Sequence, residues 1–158
     1  MKAKQAAELV AAIVIVELIG NIGTLFALPA IGTWYASLVK PEFNPPDWVF
    51  APAWVILFAL MGISLYLVWE RRREKKRARI ALQAFDVQLA LNIFWPFLFF
   101  GLRSPLYGLI CIVLLFLAIL LTIAEFRRVS KAAAYLLIPY LLWVAFAAAL
   151  NFSVWMLN

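Results

Sequence analysis

The stretch LYGLICIVLLFLAILLTIAEF, residues 106–126, decides the fold class. It carries no charge before Glu125, and at about 1.5 Å per residue a helix of this length crosses the roughly 30 Å of bilayer hydrocarbon. A lone strand would leave its backbone N–H and C=O groups unpaired in lipid, so helix is the form such a segment takes. Four more apolar stretches surround it, at residues 7–28, 48–69, 80–101 and 132–155. Hydrophobic types make up 67% of the chain, against about 45–50% in soluble domains. The reading is all-α: an integral membrane bundle of five transmembrane helices, with residues 1–158 forming one domain.

Composition removes several chemistries. With no histidine, a Ser-His-Asp triad, a zinc site of the HExxH kind and His-ligated haem are all excluded. Cys111 is the one cysteine, so no disulfide closes within the chain. No Gly-rich phosphate loop, paired-carboxylate motif or internal repeat stands out, and no metal site is expected. Residues 1–5 ahead of an apolar run imitate a signal peptide. That run is too long and contains Glu17, so an uncleaved first span is expected.

Charge sets the orientation. Five spans put the N-terminus, the second connection and the fourth connection on one side. That side holds Lys2, Lys4, Arg71, Arg72, Arg73, Lys75, Lys76, Arg77, Arg79, Arg127, Arg128 and Lys131, leaving only Lys40 and Arg103 opposite. The imbalance predicts a cytoplasmic N-terminus and an external C-terminus in a prokaryotic plasma membrane. The basic run at 70–79 reads as an anchor in contact with anionic membrane lipids. It lacks the interleaved aromatics of a nucleic-acid site, and no nucleic-acid partner is expected.

The first external connection, residues 29–47, is rich in rings and prolines. Trp34, Tyr35, Lys40, Pro41 and Trp48 fit two readings, an interfacial aromatic belt or a stiff lid over the bundle mouth. Helical spacing sorts the remaining polar residues into stripes. Gln88, Asn92, Trp95 and Phe99 share a face of the third span, and Tyr140, Trp143, Ala147, Asn151 and Asn158 one of the fifth. Glu17, Gly20, Asn21 and Thr24 share a face of the first. Such residues are costly against lipid and should face the interior. There they serve either as interhelical hydrogen-bond glue, the reading favoured for Gln88 and Asn151, or as a ligand pocket with ring faces and a polar group. Asp86, near the basic end of the third span, is expected to pair with Arg79 or a loop base. Glu17 is deeper, and is expected to be neutral or bonded to another helix.

Three blocks carry a resemblance. The loop reads Trp34-Tyr35-x-x-Leu38-x-Lys40-Pro41-x-Phe43-x-Pro45-Pro46-x-Trp48, followed by Pro52-x-Trp54. The third span reads Gln88-Leu89-Ala90-Leu91-Asn92-x-x-Trp95-Pro96, then Phe99-Phe100-Gly101. The fifth reads Pro139-Tyr140-Leu141-x-Trp143-x-Ala145-Phe146-Ala147, then Leu150-Asn151. In order and spacing these resemble the translocator protein family, also called tryptophan-rich sensory proteins or peripheral benzodiazepine receptors.

The resemblance implies a five-helix membrane protein, commonly a homodimer, with a pocket closed by the first loop. Its ligands would be porphyrins such as protoporphyrin IX and haem, and isoquinoline or benzodiazepine compounds, with no cofactor required. Carried over by residue, the pocket includes Trp54, Asn92, Trp95, Trp143 and Ala147, with Pro45 and Pro46 at its mouth; the fifth-span stripe adds Tyr140. Some bacterial relatives break down protoporphyrin in light and oxygen, which would give Trp54 and Trp143 a catalytic role. The family's sterol stretch is broken here by Phe152 and Met156, so tight sterol binding is not expected. Phe58 stands where many relatives have tyrosine. Three functions stay open: a receptor or carrier for porphyrins and related hydrophobic ligands, a porphyrin-degrading enzyme, or an assembly protein without a ligand.

Overall fold

A computed structural model describes residues 3–72 and 77–158. The charge argument's Lys2, Arg73, Lys75 and Lys76 lie outside the described residues. Five helical spans long and apolar enough to cross a membrane are present. The first joins α1 (Ala3–Gly20), a tight turn (Asn21–Gly23) and α2 (Thr24–Ile31). After the short α3 (Trp34–Ser37), a turn at Asp47–Val49 leads into α4 (Phe50–Glu70). The third span is α5 (Arg77–Pro96), which widens into a π-helical turn at Phe97–Gly101. The fourth is α6 (Pro105–Val129), and the fifth is α7 (Lys131–Leu136) followed by α8 (Ile138–Leu157).

Each span exceeds its apolar core by a few residues because caps and polar ends prolong the helix. Ser104 Oγ accepts from the Tyr107 N–H at 3.3 Å with Pro105 in the first turn, and Ser130 Oγ accepts from the Ala133 N–H at 3.4 Å. Both are ordinary N-caps. Pro29, expected in the first connection, lies inside α2, so the loop proper is shorter than 29–47.

The helices close into a ring. The α1 helix packs on α4, α4 on α7 and α8, these on α6, and α6 on α5. The circuit is completed by the second half of the first span, which rests on α5 and its π turn. Both ends confirm the parity of the connections. At one end Gln5 Nε2 donates to Glu70 (3.0 Å) and an Arg71 N–H to the Val129 carbonyl (2.8 Å). At the other, Asn158 Nδ2 donates to the Val39 carbonyl and its Oδ1 accepts from the Val39 N–H, both at 3.0 Å.

The basic half of the ring is filled. Phe85 stacks on Phe126 at 5.8 Å and 12°, and Met61, Val68, Ala78, Ala81 and Ile119 have no exposed surface. Gly62 lets α1 approach α4 closely, since a Cβ there would lie 2.5 Å from the Ile13 Cα. Ser64 Oγ donates to the Ala133 carbonyl at 2.8 Å, and Thr122 Oγ1 to the Ala84 carbonyl at 3.1 Å. These bonds tie α4 to α7 and α6 to α5.

Three polar expectations are corrected. Asp86 is exposed on the outer face of α5, and among the described residues the one ion pair joins Arg128 to Glu125 within α6. Asp86 therefore does not pair with Arg79. Gln88 is buried as expected, yet neither amide atom meets a partner among the described residues, so it glues no helices. Glu17 bonds to Asn21 on its own span rather than to another helix.

Candidate functional site

The other half of the ring is hollow, and the cause lies in two departures from α-helix. At Asn21–Gly23 the first span tightens, and beyond it the chain leaves α4 for α5 and the π turn. Gly23 permits this contact: a Cβ would lie 2.6 Å from the Pro96 ring. Across from it, Pro96 is followed by wide-turn bonds, Leu102 N–H to the Phe97 carbonyl (2.8 Å) and Ser104 N–H to the Phe99 carbonyl (3.1 Å). A wider turn shifts the register of the rings that follow. The result is a cavity of about 330 Å³ among the halves of all five spans that lie away from the basic end.

Aromatic faces make its walls. Trp54 stacks on Phe58 at 5.2 Å and 28°, and Trp95 on Phe99 at 5.2 Å and 19°. Phe50 meets Trp143 edge-on at 5.9 Å. The fourth span contributes Ile112 and Leu115, and the fifth also Ala147 and Asn151. Asn151 Oδ1 accepts from Trp95 Nε1 (3.1 Å) while its Nδ2 donates to the Pro105 carbonyl (2.7 Å). One asparagine thus fixes a ring of the third span against the start of the fourth, as its reading as glue foresaw.

Not every expected residue touches the cavity. Trp54, Asn92, Trp95, Trp143 and Ala147 line it. Tyr140 does not: its ring is fully buried behind Trp54, 6.3 Å away edge-on, and its hydroxyl accepts from Asn92 Nδ2 at 2.9 Å. Tyr140 therefore orients a wall residue from outside. Pro45 and Pro46 are also outside the lining; their neighbours Asn44 and Asp47 are in it. The indole N–H of Trp143 is buried and meets no acceptor among the described residues.

The loop covers the mouth. Trp34 and Tyr35 lie edge-on to Phe99 and Phe100, each at 5.5 Å, and Phe43 faces Phe146 at 6.4 Å. The Tyr35 hydroxyl donates to Asn44 Oδ1 (3.4 Å) and Lys40 Nζ sits 4.2 Å from the Tyr35 ring centre. Burial and the Asp47 carboxylate push the Tyr35 phenol up. Pro41 closes the turn by accepting from the Asn44 N–H at 3.0 Å. Trp48 stands apart, 74% exposed. Of the two readings of the loop, its first part has the geometry of a cover and Trp48 that of a belt residue.

Several lining residues carried no sequence signal as such. Phe50 is an ordinary apolar residue in an apolar run, and Ile112 and Leu115 sit in a stretch, residues 108–121, with no charged or amide side chain to mark a face. Asn21 and Thr24 were visible as a stripe, and they do line the cavity.

The model of the TspO/MBR family matches residues 12–156. The tryptophan-rich protein TspO of Archaeoglobus fulgidus is 46% identical over 152 residues, 96% of this chain and 97% of its own. Protein CrtK of Rhodobacter capsulatus is 40% identical over 86% of this chain and 85% of its own. The translocator protein of Ovis aries is 42% identical over 88% and 83%.

Proposed function

The chain belongs to the TspO/MBR family, and from that premise we propose that it is a membrane receptor or carrier for flat, lipid-soluble aromatic ligands. Tetrapyrroles such as protoporphyrin IX and haem head the class, and isoquinoline or benzodiazepine compounds belong to it. One observation carries the reading: the cavity is walled by three tryptophans and backed by phenylalanines. Ring faces hold a planar molecule by dispersion and stacking, at about 0.5–1.5 kcal/mol per pair. With no histidine in the chain, haem would be held by packing and not through an imidazole on its iron. The basic end faces the cytoplasm in this reading, which puts the cavity in the outer half of the bilayer, and the working unit is a homodimer.

The test is a titration of the purified protein with protoporphyrin IX in darkness, followed by tryptophan emission. Saturable quenching is expected, weakened about tenfold or more in Trp143→Ala. Quenching that is linear in porphyrin, or unchanged in the variant, refutes the site. Illumination in air then separates binding from photo-oxidative breakdown. A receptor bleaches its porphyrin no faster than the Trp54→Phe/Trp143→Phe double variant, whereas an enzyme does.

A further inference from the structure

The cavity has two boundaries that could open, and they differ in construction. Toward water, the loop is fastened at several points: the ring contacts of Trp34 and Tyr35, and the two-bond clasp of Asn158 on Val39. Toward lipid, one flank has no such fastening. Beyond Gly23 the first span rests on the third, and α2 makes no substantial contact with α4. Leu28 on α2 and Val55 on α4 both line the cavity, yet they are 70% and 53% exposed. A residue that is at once cavity wall and outer surface marks an opening. On the remaining flanks the walls are closed, with Ile112, Leu115 and Val144 at 1–2% exposure.

The edges of this cleft suit an apolar passenger. Thr24 Oγ1 donates to the Asn21 carbonyl at 2.6 Å, and Asn21 Nδ2 to the Glu17 carbonyl at 2.9 Å. The Thr24 hydroxyl and the Asn21 amide N–H are thus engaged on their own span. A flat molecule dissolved in hydrocarbon meets a slot bordered by aliphatic side chains, whereas the loop route requires it to cross water and displace several rings. Size points the same way. The enclosed volume of about 330 Å³ is at the small end of ligand sites, so the edge of a substituted tetrapyrrole would extend into the cleft.

We propose that ligands enter and leave sideways from the bilayer, through the slot between α2 and the first turns of α4, while the loop stays closed. The proposal rests on reading the cavity as a ligand pocket. It is tested on the full chain in lipid nanodiscs, by stopped-flow association of protoporphyrin IX and its displacement by excess unlabelled competitor. Val55→Trp, which narrows the slot, is expected to slow both association and dissociation about tenfold or more. Leu28→Trp on the facing edge is the second variant should the first fail to fold. Asn158→Ala, which frees the loop clasp, is expected to leave both rates within about twofold. The proposal is overturned if Asn158→Ala accelerates exchange, or if both slot variants fold and exchange at the wild-type rate. Absence of saturable binding in the wild type would instead refute the pocket itself.

Discussion

The two halves of this bundle are built from the same five helices and similar apolar residues, yet one is solid and the other hollow. In the basic half the first four spans run as regular helix, and small residues, Gly62, Ala78, Ala81 and Ala133, let the helices close on Phe85, Met61 and Phe126. In the hollow half, the tight turn at Asn21–Gly23 and the π turn at Phe97–Gly101 break the regular geometry. The first span crosses from the second to the third, and large rings, some stacked and some edge-on, surround a space they do not fill. The cavity comes from two local deviations in backbone geometry. Stability and binding should therefore be separable by mutation.

The largest effect belongs to the solid half. Phe85→Ala removes a fully buried ring from its stack on Phe126. Aromatic deletions in cores cost about 3–5 kcal/mol, and because lipid supplies no hydrophobic transfer term the value here should be near the low end, about 3 kcal/mol. A fall in the thermal midpoint in detergent is expected, with porphyrin affinity per folded molecule unchanged. Loss of affinity without loss of stability would break the division between the halves.

A smaller effect is expected where the hollow half is braced. Asn151→Leu deletes both the bond from Trp95 and the bond to the Pro105 carbonyl. Side-chain hydrogen bonds within membranes average about 0.6 kcal/mol and reach about 1.7, so a stability loss of about 1–2 kcal/mol is expected. Trp95, no longer tethered, should also let porphyrin affinity fall several-fold. Binding unaffected by the release of Trp95 would show that the stack on Phe99 alone holds the ring.

Much of this was legible from sequence for a physical reason. Lipid forbids both unpaired backbone and unpaired charge, so span number and parity follow from the five apolar stretches and the placement of arginine and lysine. The stripe of Asn92, Trp95 and Phe99 could be read because three residues of unlike chemistry recurred at helical spacing. Ile112 and Leu115 could not be, because residues 108–121 of the fourth span carry no charged or amide side chain that would separate a wall from a lipid contact. The π turn was equally hidden: Pro96 announces a disturbance but not its direction. Tyr140 shows the opposite error. Its place in the stripe suggested contact with a ligand, but a stripe reports only which side of a helix faces inward, and Tyr140 faces inward behind Trp54.

The finest test of the comparison is at the boundary between the halves. Glu17 lies half-buried one turn before the tight turn, and its carboxylate accepts from Asn21 Nδ2 at 3.3 Å. A second bond from the same Nδ2 goes to the Glu17 backbone carbonyl at 2.9 Å, and that bond survives any change of side chain. In Glu17→Gln the amide oxygen can still accept from Asn21, so the turn keeps both contacts. Glu17 is also absent from the cavity wall, which begins at Gly20. Porphyrin affinity within about twofold of wild type and a stability change below about 0.5 kcal/mol are therefore expected, read by the same titration and thermal unfolding. A drop in affinity of about tenfold or more would mean that the charge at position 17 reaches the bound ligand. The hollow half would then extend a turn below the kink, and the tight turn would no longer mark where packing gives way to binding.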